Sequence, residues 1–439
     1  MKRHRYTIPA LLFATALILR LVFFFIMLSD LGADHLIDQY QDPIKYVRAA
    51  EFLFGRADIG KTELYLVGPG YPLLIGLCTP GGSSAFWPVL IIQIILSTFT
   101  CVLIYRTALF LLGNSWIATT AGFLAVVSPT SISLANAVVS ETLFFFLQVL
   151  SLYLFFKAIG KNQWRIAVFA GLTGGATVLV RSAAMLFPLV LIISGLLMPV
   201  VTSAIPRRQI VIKSIVVALI MLALPTLWGV RNLIVHDTFT VSSTGLLAAK
   251  TYLAAKVTIE GEKRHIREFK QIRDSLYQVS LANYEQNRYK QDQQESMNMI
   301  KSTFSRHPSL FIKHYLLMVF YNSTSISSLQ HVQIPGYSAS IRSIERIVHG
   351  SFFNPAVLAM SLLGFVVLLR INFATAFMLL LPVLYFAFIS GVTFGQGSRI
   401  FFPAMITQAI LVAVTLVFTY DLALAGKQAL RRIYSKRSS

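Results

Sequence analysis

Four charged residues, Arg20, Glu141, Arg181 and Arg399, stand within or at the ends of long apolar stretches. A charged side chain at the centre of a bilayer costs about 2.5–3.5 kcal/mol on insertion scales, so the few that persist there are candidates for function. An arginine can grip two oxygens of one phosphate, and a carboxylate can take a proton or orient a hydroxyl. Each arginine taken singly could instead snorkel to an interface or pair inside a helical bundle. A second set, Asp38, Asp42 and Tyr46, recurs at i, i+4 and i+8, one face if a helix begins that early. Surface carboxylates are ordinarily just solvated. Gly68-Pro69-Gly70-Tyr71-Pro72 follows, forcing a turn before the apolar Leu73 to Leu77.

The elements that must position these residues are membrane helices. Of 439 residues, 56% are hydrophobic and 13% charged, which excludes an ordinary soluble domain. Apolar runs approach 20 residues, about what one helix needs to cross a hydrocarbon core of roughly 30 Å. The pattern predicts an all-α polytopic membrane protein, a single integral membrane domain over residues 1–439 with about ten transmembrane helices. These lie near 8–29, 86–106, 115–134, 139–158, 164–180, 182–201, 210–230, 352–370, 373–391 and 400–420. The first follows Lys2, Arg3 and Arg5, is interrupted by Arg20 and has no small-x-small cleavage site, so it reads as a retained helix. Leu310 to Phe320, with Lys313 and His314, is too short to span and reads as interfacial or re-entrant.

The formal charge of +20 arises from 38 Lys and Arg against 18 Asp and Glu. Short cytoplasmic loops collect Lys and Arg, so the distribution orients the chain. With both termini cytoplasmic, inner segments carry the basic residues from Lys2 and Arg3 through Arg207 and Arg208 to Lys436 and Arg437, opposed by Asp421. Of the 18 acidic residues, all but Glu141 and Asp421 fall in Asp30 to Glu63 and Asp237 to Glu345. Those stretches belong to a first outer loop, 30–85, and a second outer segment, 231–350. Under this topology Glu141, Arg181, Arg231 and Arg399 share the outer side, where a single water-exposed cavity would account for them.

Within the first loop, Gln41 to Phe54 can form a helix with Tyr46, Ala49, Ala50 and Leu53 on one face. In the second segment Ile266, Phe269, Ile272, Leu276 and Val279 recur at helical spacing, an apolar stripe expected to rest on the membrane or the bundle. Gly171 and Gly175, four apart, suit close helix packing. Cys78 and Cys101 form no disulfide framework or CxxC pair. There is no GxxxxGK[ST] loop and no HExxH, and the eight histidines are scattered. The driving force is therefore expected from an ion gradient or an already activated substrate, and no nucleic-acid partner is expected.

The order of these features resembles the GT-C membrane glycosyltransferases, especially the branch of protein O-mannosyltransferases and aminoarabinose transferases (glycosyltransferase family 39-like). Asp42, Tyr46, Ala49, Ala50 and Gly55 are similar to that family's first-loop acid, tyrosine and small residues. Pro69-Gly70-Tyr71-Pro72, Ser140-Glu141, Leu179-Val180-Arg181, Arg231-Asn232 and Gly397-Ser398-Arg399-Ile400-Phe401-Phe402-Pro403 follow in the family's order. Pro43 stands where the family has a second acid, and Ile400 where it has tyrosine.

The resemblance implies a polyprenyl-phosphate sugar donor, a glycan, lipid or protein acceptor on the outer side, and a surrounding bacterial inner membrane. It implies that Asp42 is the catalytic base. Tyr46, Tyr71, Glu141, Arg181, Arg231 and Arg399 would bind substrate, the arginines taking the departing phosphate. Glu141 would orient the sugar, contact the acceptor or help hold a divalent cation; no cofactor is otherwise implied. A transporter or flippase of lipid-linked saccharide, or a non-catalytic envelope assembly subunit, would share the charged cavity. No repeated halves of the kind found in transporters are evident. A cysteine introduced at position 42 is expected to react with an impermeant thiol reagent from the outer side; labelling from the cytoplasmic side would overturn the topology.

Overall fold

The computed structural model describes residues 4–31, 42–80, 86–198, 205–324, 355–393 and 398–437, and no strand occurs among them. The chain opens with α1 (His4–Leu31), followed by three short helices, α2 (Asp42–Leu53), α3 (Lys61–Val67) and α4 (Gly70–Cys78). A helical bundle continues through α5 (Trp87–Leu112), α6 (Ser115–Val126), α7 (Pro129–Ala135), α8 (Glu141–Gly160), α9 (Trp164–Val180), α10 (Phe187–Leu197) and α11 (Arg207–His236). The polar segment holds α12 (Thr244–Ala248), α13 (Ala255–Gly261), α14 (Phe269–Glu285), α15 (Tyr289–Arg306) and α16 (Pro308–Thr324). The chain closes with α17 (Pro355–Ile371), α18 (Phe373–Ser390), the short α19 (Ser398–Phe401) and α20 (Met405–Arg437).

By length and composition, six helices among the described residues can cross a membrane: Tyr6–Ser29, Trp87–Leu112, Glu141–Gly160, Arg207–His236, Phe373–Ser390 and Arg399–Ala425. Counting the bent pair α6 and α7 as one span makes seven. Shorter apolar helices, Trp164–Val180, Ser182–Leu197 and Ala356–Ile371, occupy the positions of other expected crossings.

The expected single crossing over 115–134 is instead two helices bent by 50°. The first ends at Val126 and Ser128 caps the second, its hydroxyl accepting from the Ser131 N–H, while Pro129 fills the first helical position, where its missing N–H costs nothing. The bend is clamped by Arg20, which is fully buried in α1. Its Nε donates to Ser97 Oγ at 2.8 Å, one amino group to the Ala16 and Val126 carbonyls, and the other to Ser131 Oγ at 2.9 Å and Cys101 Sγ. The guanidinium thus joins α1 and α5 to both halves of the bend. No described carboxylate pairs with it, so hydrogen bonds alone offset its desolvation.

Glycines set the close contact of α9 with α11. A Cβ on Gly171 would meet Ile220 Cβ at 2.6 Å, and one on Gly175 would meet the Met221 carbonyl at 3.0 Å. The helix expected over residues 41–54 is α2, with Tyr46, Ala49 and Ala50 buried as the stripe predicts. Along the stripe of Ile266 and α14, Phe269, Ile272 and Leu276 are half-buried, Ile266 and Val279 are 53% and 47% exposed, and the fully buried residues of α14 are Ser280 and Tyr284. Tyr284 sits there because its hydroxyl donates to Asp292 Oδ2 at 2.7 Å, inside a buried Lys250–Asp292 ion pair of 3.1 Å.

The expected interfacial piece is α16, which packs against α18. Asn322 caps the end of α18, donating to the Ser390 and Thr393 carbonyls at 2.9 Å each. Replacing Arg20 with methionine is expected to destabilise the protein by about 2 kcal/mol or more, since hydrogen bonds to a charged group contribute about 1.5–3 kcal/mol. Unfolding in detergent would measure it, and an unchanged midpoint would refute the clamp.

Candidate active site

Three charged groups expected from separate apolar stretches meet at one end of the bundle. Glu141 is the first residue of α8, where the helix dipole favours a negative charge. Arg181 leaves the end of α9 in extended conformation, with φ −148°. Arg399 lies on α19. Glu141 Oε1 accepts from Arg181 at 2.6 Å and also from Arg399 Nε. The carboxylate is 2% exposed and Arg399 8%, whereas the Arg181 side chain, at 27%, reaches solvent. The trio carries a net positive charge, and Arg181 is its open side. Glu141 Oε2 makes no hydrogen bond among the described residues.

The first loop is bonded into this cluster. Tyr46 on α2 shares a 2.9 Å hydrogen bond with Ser140 Oγ, which also accepts from Arg181 at 3.4 Å. The Tyr46 ring packs edge-on against Tyr71 at 4.8 Å. Tyr71 is fully buried, and its hydroxyl donates to Gln93 Oε1 at 2.7 Å. Burial pushes its phenol well above the ordinary value, so it stays a donor. Gln93 in turn donates to the Ala137 carbonyl at 2.7 Å, just before Glu141.

The Gly68-Pro69-Gly70 turn fits tightly beside Arg181. Gly68 has φ +79°, where a side chain would be strained, and a Cβ on Gly70 would lie 2.6 Å from the Val180 nitrogen. That close approach fixes the height of Tyr71 relative to Arg181.

Six of the seven candidate residues can be placed by their side chains. Tyr46, Tyr71, Glu141, Arg181 and Arg399 come together; Arg231 makes its contacts elsewhere, with Asn232, His236 and Trp228. Asp42 begins α2, one turn before Tyr46, but its side chain lies outside the described residues, as do Asp38 and Gly397. Ser140 and Gln93 are members that residue-type reasoning passed over. Gln93 did carry a signal, as a lone amide within the apolar run Val89 to Leu96.

Among the described residues no three His, Cys, Asp or Glu side chains gather as cation ligands. Glu141 already faces two guanidinium groups, which repel a metal ion, so this carboxylate does not suit a divalent cation. A cleft of about 270 Å³ lined by Lys256, His314, Leu317, Met318, Phe320 and Tyr321 includes no member of the Glu141 cluster.

Residues 67–228, which contain Tyr71, Glu141 and Arg181, match the family model of dolichyl-phosphate-mannose-protein mannosyltransferases. Over 98% of its length the chain superposes on the archaeal oligosaccharyltransferase AglB from Archaeoglobus fulgidus, solved with an inhibitory peptide and a dolichol-phosphate, with TM-score 0.54 and 14% identity. The apo form of the Archaeoglobus fulgidus oligosaccharyltransferase matches over 96% of this chain, with TM-score 0.52 and 14% identity.

The chain has a GT-C fold. It spans about half, 52%, of each of these GT-C neighbours. A search of curated sequences gives no significant match. The family match and the apolar helices together make this GT-C chain an integral membrane protein.

Replacing Glu141 with glutamine leaves two adjacent guanidinium groups without their buried counter-charge, and breaking such an arrangement costs about 3–5 kcal/mol. The variant is expected to unfold at a markedly lower temperature in detergent than the parent. A midpoint equal to the parent's would show that the trio does not hold this end of the bundle together.

Proposed function

We propose that the chain is a membrane glycosyltransferase that moves a hexosyl or pentosyl group from a polyprenyl-phosphate donor to a hydroxyl of a glycan, lipid or protein acceptor on the outer side. The observation that carries this reading is the buried Glu141 holding two arginines, one of them open to solvent, inside a GT-C fold. A donor delivered through the membrane needs an anchor for its phosphate rather than a nucleotide-binding domain. The setting proposed is a bacterial inner membrane with both termini cytoplasmic, one integral domain over residues 1–439, and an outer cavity walled by the loop 30–85 and the segment 231–350.

In the proposed reaction Asp42 removes the acceptor proton as the oxygen attacks the anomeric carbon. The bond from that carbon to the phosphate oxygen breaks, its electron pair leaves with the polyprenyl phosphate, and the configuration inverts. Arg181 and Arg399 receive the growing charge on the phosphate. Glu141 keeps the two guanidinium groups together and aimed, and Tyr46 with Ser140 ties the helix bearing Asp42 to them. Tyr71 supports Tyr46 from below.

Asp42→Asn, in protein that still inserts and folds, is expected to lower transfer by about 10²–10⁴-fold, the range for a positioned general base. The assay follows sugar passing from a polyprenyl-phosphate donor into surface glycan in membranes with and without the protein. Near-normal transfer by this variant would remove Asp42 as the base.

A further inference from the structure

The end of the bundle opposite Glu141 carries charge of one sign. Glu141 opens α8, which closes at Gly160; α9 starts close by at Trp164, and α11 starts at Arg207. The sequence has no Asp or Glu between Glu141 and Asp237, yet Lys157, Lys161, Arg165, Arg207, Arg208 and Lys213 all lie in that stretch. Among the described residues none of these six has an ion pair. Asp421, the acid expected on this side, stands on α20 and pairs with none of them. The counter-charge for this end must come from outside the chain.

Lys213 sets how the segments meet. It is fully buried, donates to Asn162 Oδ1 in the α8–α9 turn, and lies 5.2 Å from the centre of the Trp164 ring. The start of α11 is thereby held against the start of α9, and the two helices continue side by side through the Gly171–Ile220 and Gly175–Met221 contacts.

Both helices repeat one pattern on their open faces. Arg165, Val168, Phe169 and Leu172 recur at i, i+3, i+4 and i+7 of α9, and all are exposed. Arg208, Ile212, Ile215 and Leu219 recur at i, i+4, i+7 and i+11 of α11, and all are exposed. Each face is a guanidinium at the helix start followed by an apolar stripe of roughly 10–16 Å, about the depth of one leaflet of a roughly 30 Å core. A free anion would leave the stripes unused. A phospholipid with an anionic headgroup matches both parts, phosphate to arginine and acyl chain to stripe.

We infer that α9 and α11 form a seat for an anionic phospholipid of the leaflet at this end, its phosphate held by Arg165 and Arg208 and its chains lying on the two stripes. Trp164, 47% exposed, takes the interfacial position that tryptophan favours. The 20 residues of α8 separate the seat from the Glu141 cluster by about 30 Å, so it is distinct from the proposed transfer site and does not depend on that reaction.

Native mass spectrometry of the full chain in detergent, titrated with phosphatidylglycerol or phosphatidylcholine of equal chain length, tests the seat. The first phosphatidylglycerol is expected to bind at least about fivefold more tightly than phosphatidylcholine, the worth of one basic contact at a membrane surface. Arg165→Gln combined with Arg208→Gln should remove that preference while keeping the parent's unfolding midpoint, since both side chains are exposed. Lys301→Gln, an exposed cation on α15, should leave the preference in place. Glycerophosphoglycerol, the same headgroup without chains, should compete at least about tenfold less well than the lipid, because it buries no apolar surface. Equal affinity for the two lipids, or a preference undiminished in the double variant, would overturn the inference. Competition by the bare headgroup as strong as the lipid's would also overturn it, in favour of a soluble anion.

Discussion

A carboxylate cannot remain charged inside an apolar bundle unless cations meet it there, and Glu141 meets two. That requirement organises one end of the molecule. It draws the start of α8, the end of α9 and the short α19 to a point, and it determines which arginine is left facing solvent. The partners are buried differently: Arg399 is nearly enclosed, and the Arg181 side chain is the accessible one. The formal charges of the trio sum to a positive one, and Arg181 is its accessible member.

The first loop is attached to this point by shape as much as by bonds. Gly70 lets backbone lie against backbone at Leu179 and Val180, at a distance that a Cβ would forbid, and Gly68 supplies the positive φ of the turn. The turn sends Tyr71 to one side and Tyr65 to the other. Tyr71 carries the loop into the Glu141 cluster through Gln93 and Tyr46; Tyr65 carries it into an aromatic group with His236, Tyr284 and Tyr289. One short turn therefore lies between the Glu141 cluster and the aromatic group around Tyr65.

Arg20 illustrates a different solution to the same electrostatic problem. It is buried without a carboxylate and survives by spending its hydrogen-bond donors on hydroxyls, carbonyls and a thiol. Charge alone does not separate this residue from Arg181 in the sequence, since both are single arginines in apolar surroundings. What distinguishes them is whether any donor remains for an outside ligand.

The sequence by itself determined the helical class and the positions of the long apolar helices, because an apolar run of about 20 residues is a local property with few ways to be satisfied in a bilayer. It also pointed to Glu141, Arg181 and Arg399, since a charge in such a run stands out. Tertiary structure alone decided that Glu141 pairs with Arg399, 258 residues away, and that Arg231 joins another centre. It also decided the bend at Ser128 and the burial of Tyr284 against the Lys250–Asp292 ion pair. Spacing along a chain reports which residues share a helix face. Which faces meet depends on the packing of distant helices and on the cost of leaving a buried charge unmatched, and neither is written in local pattern.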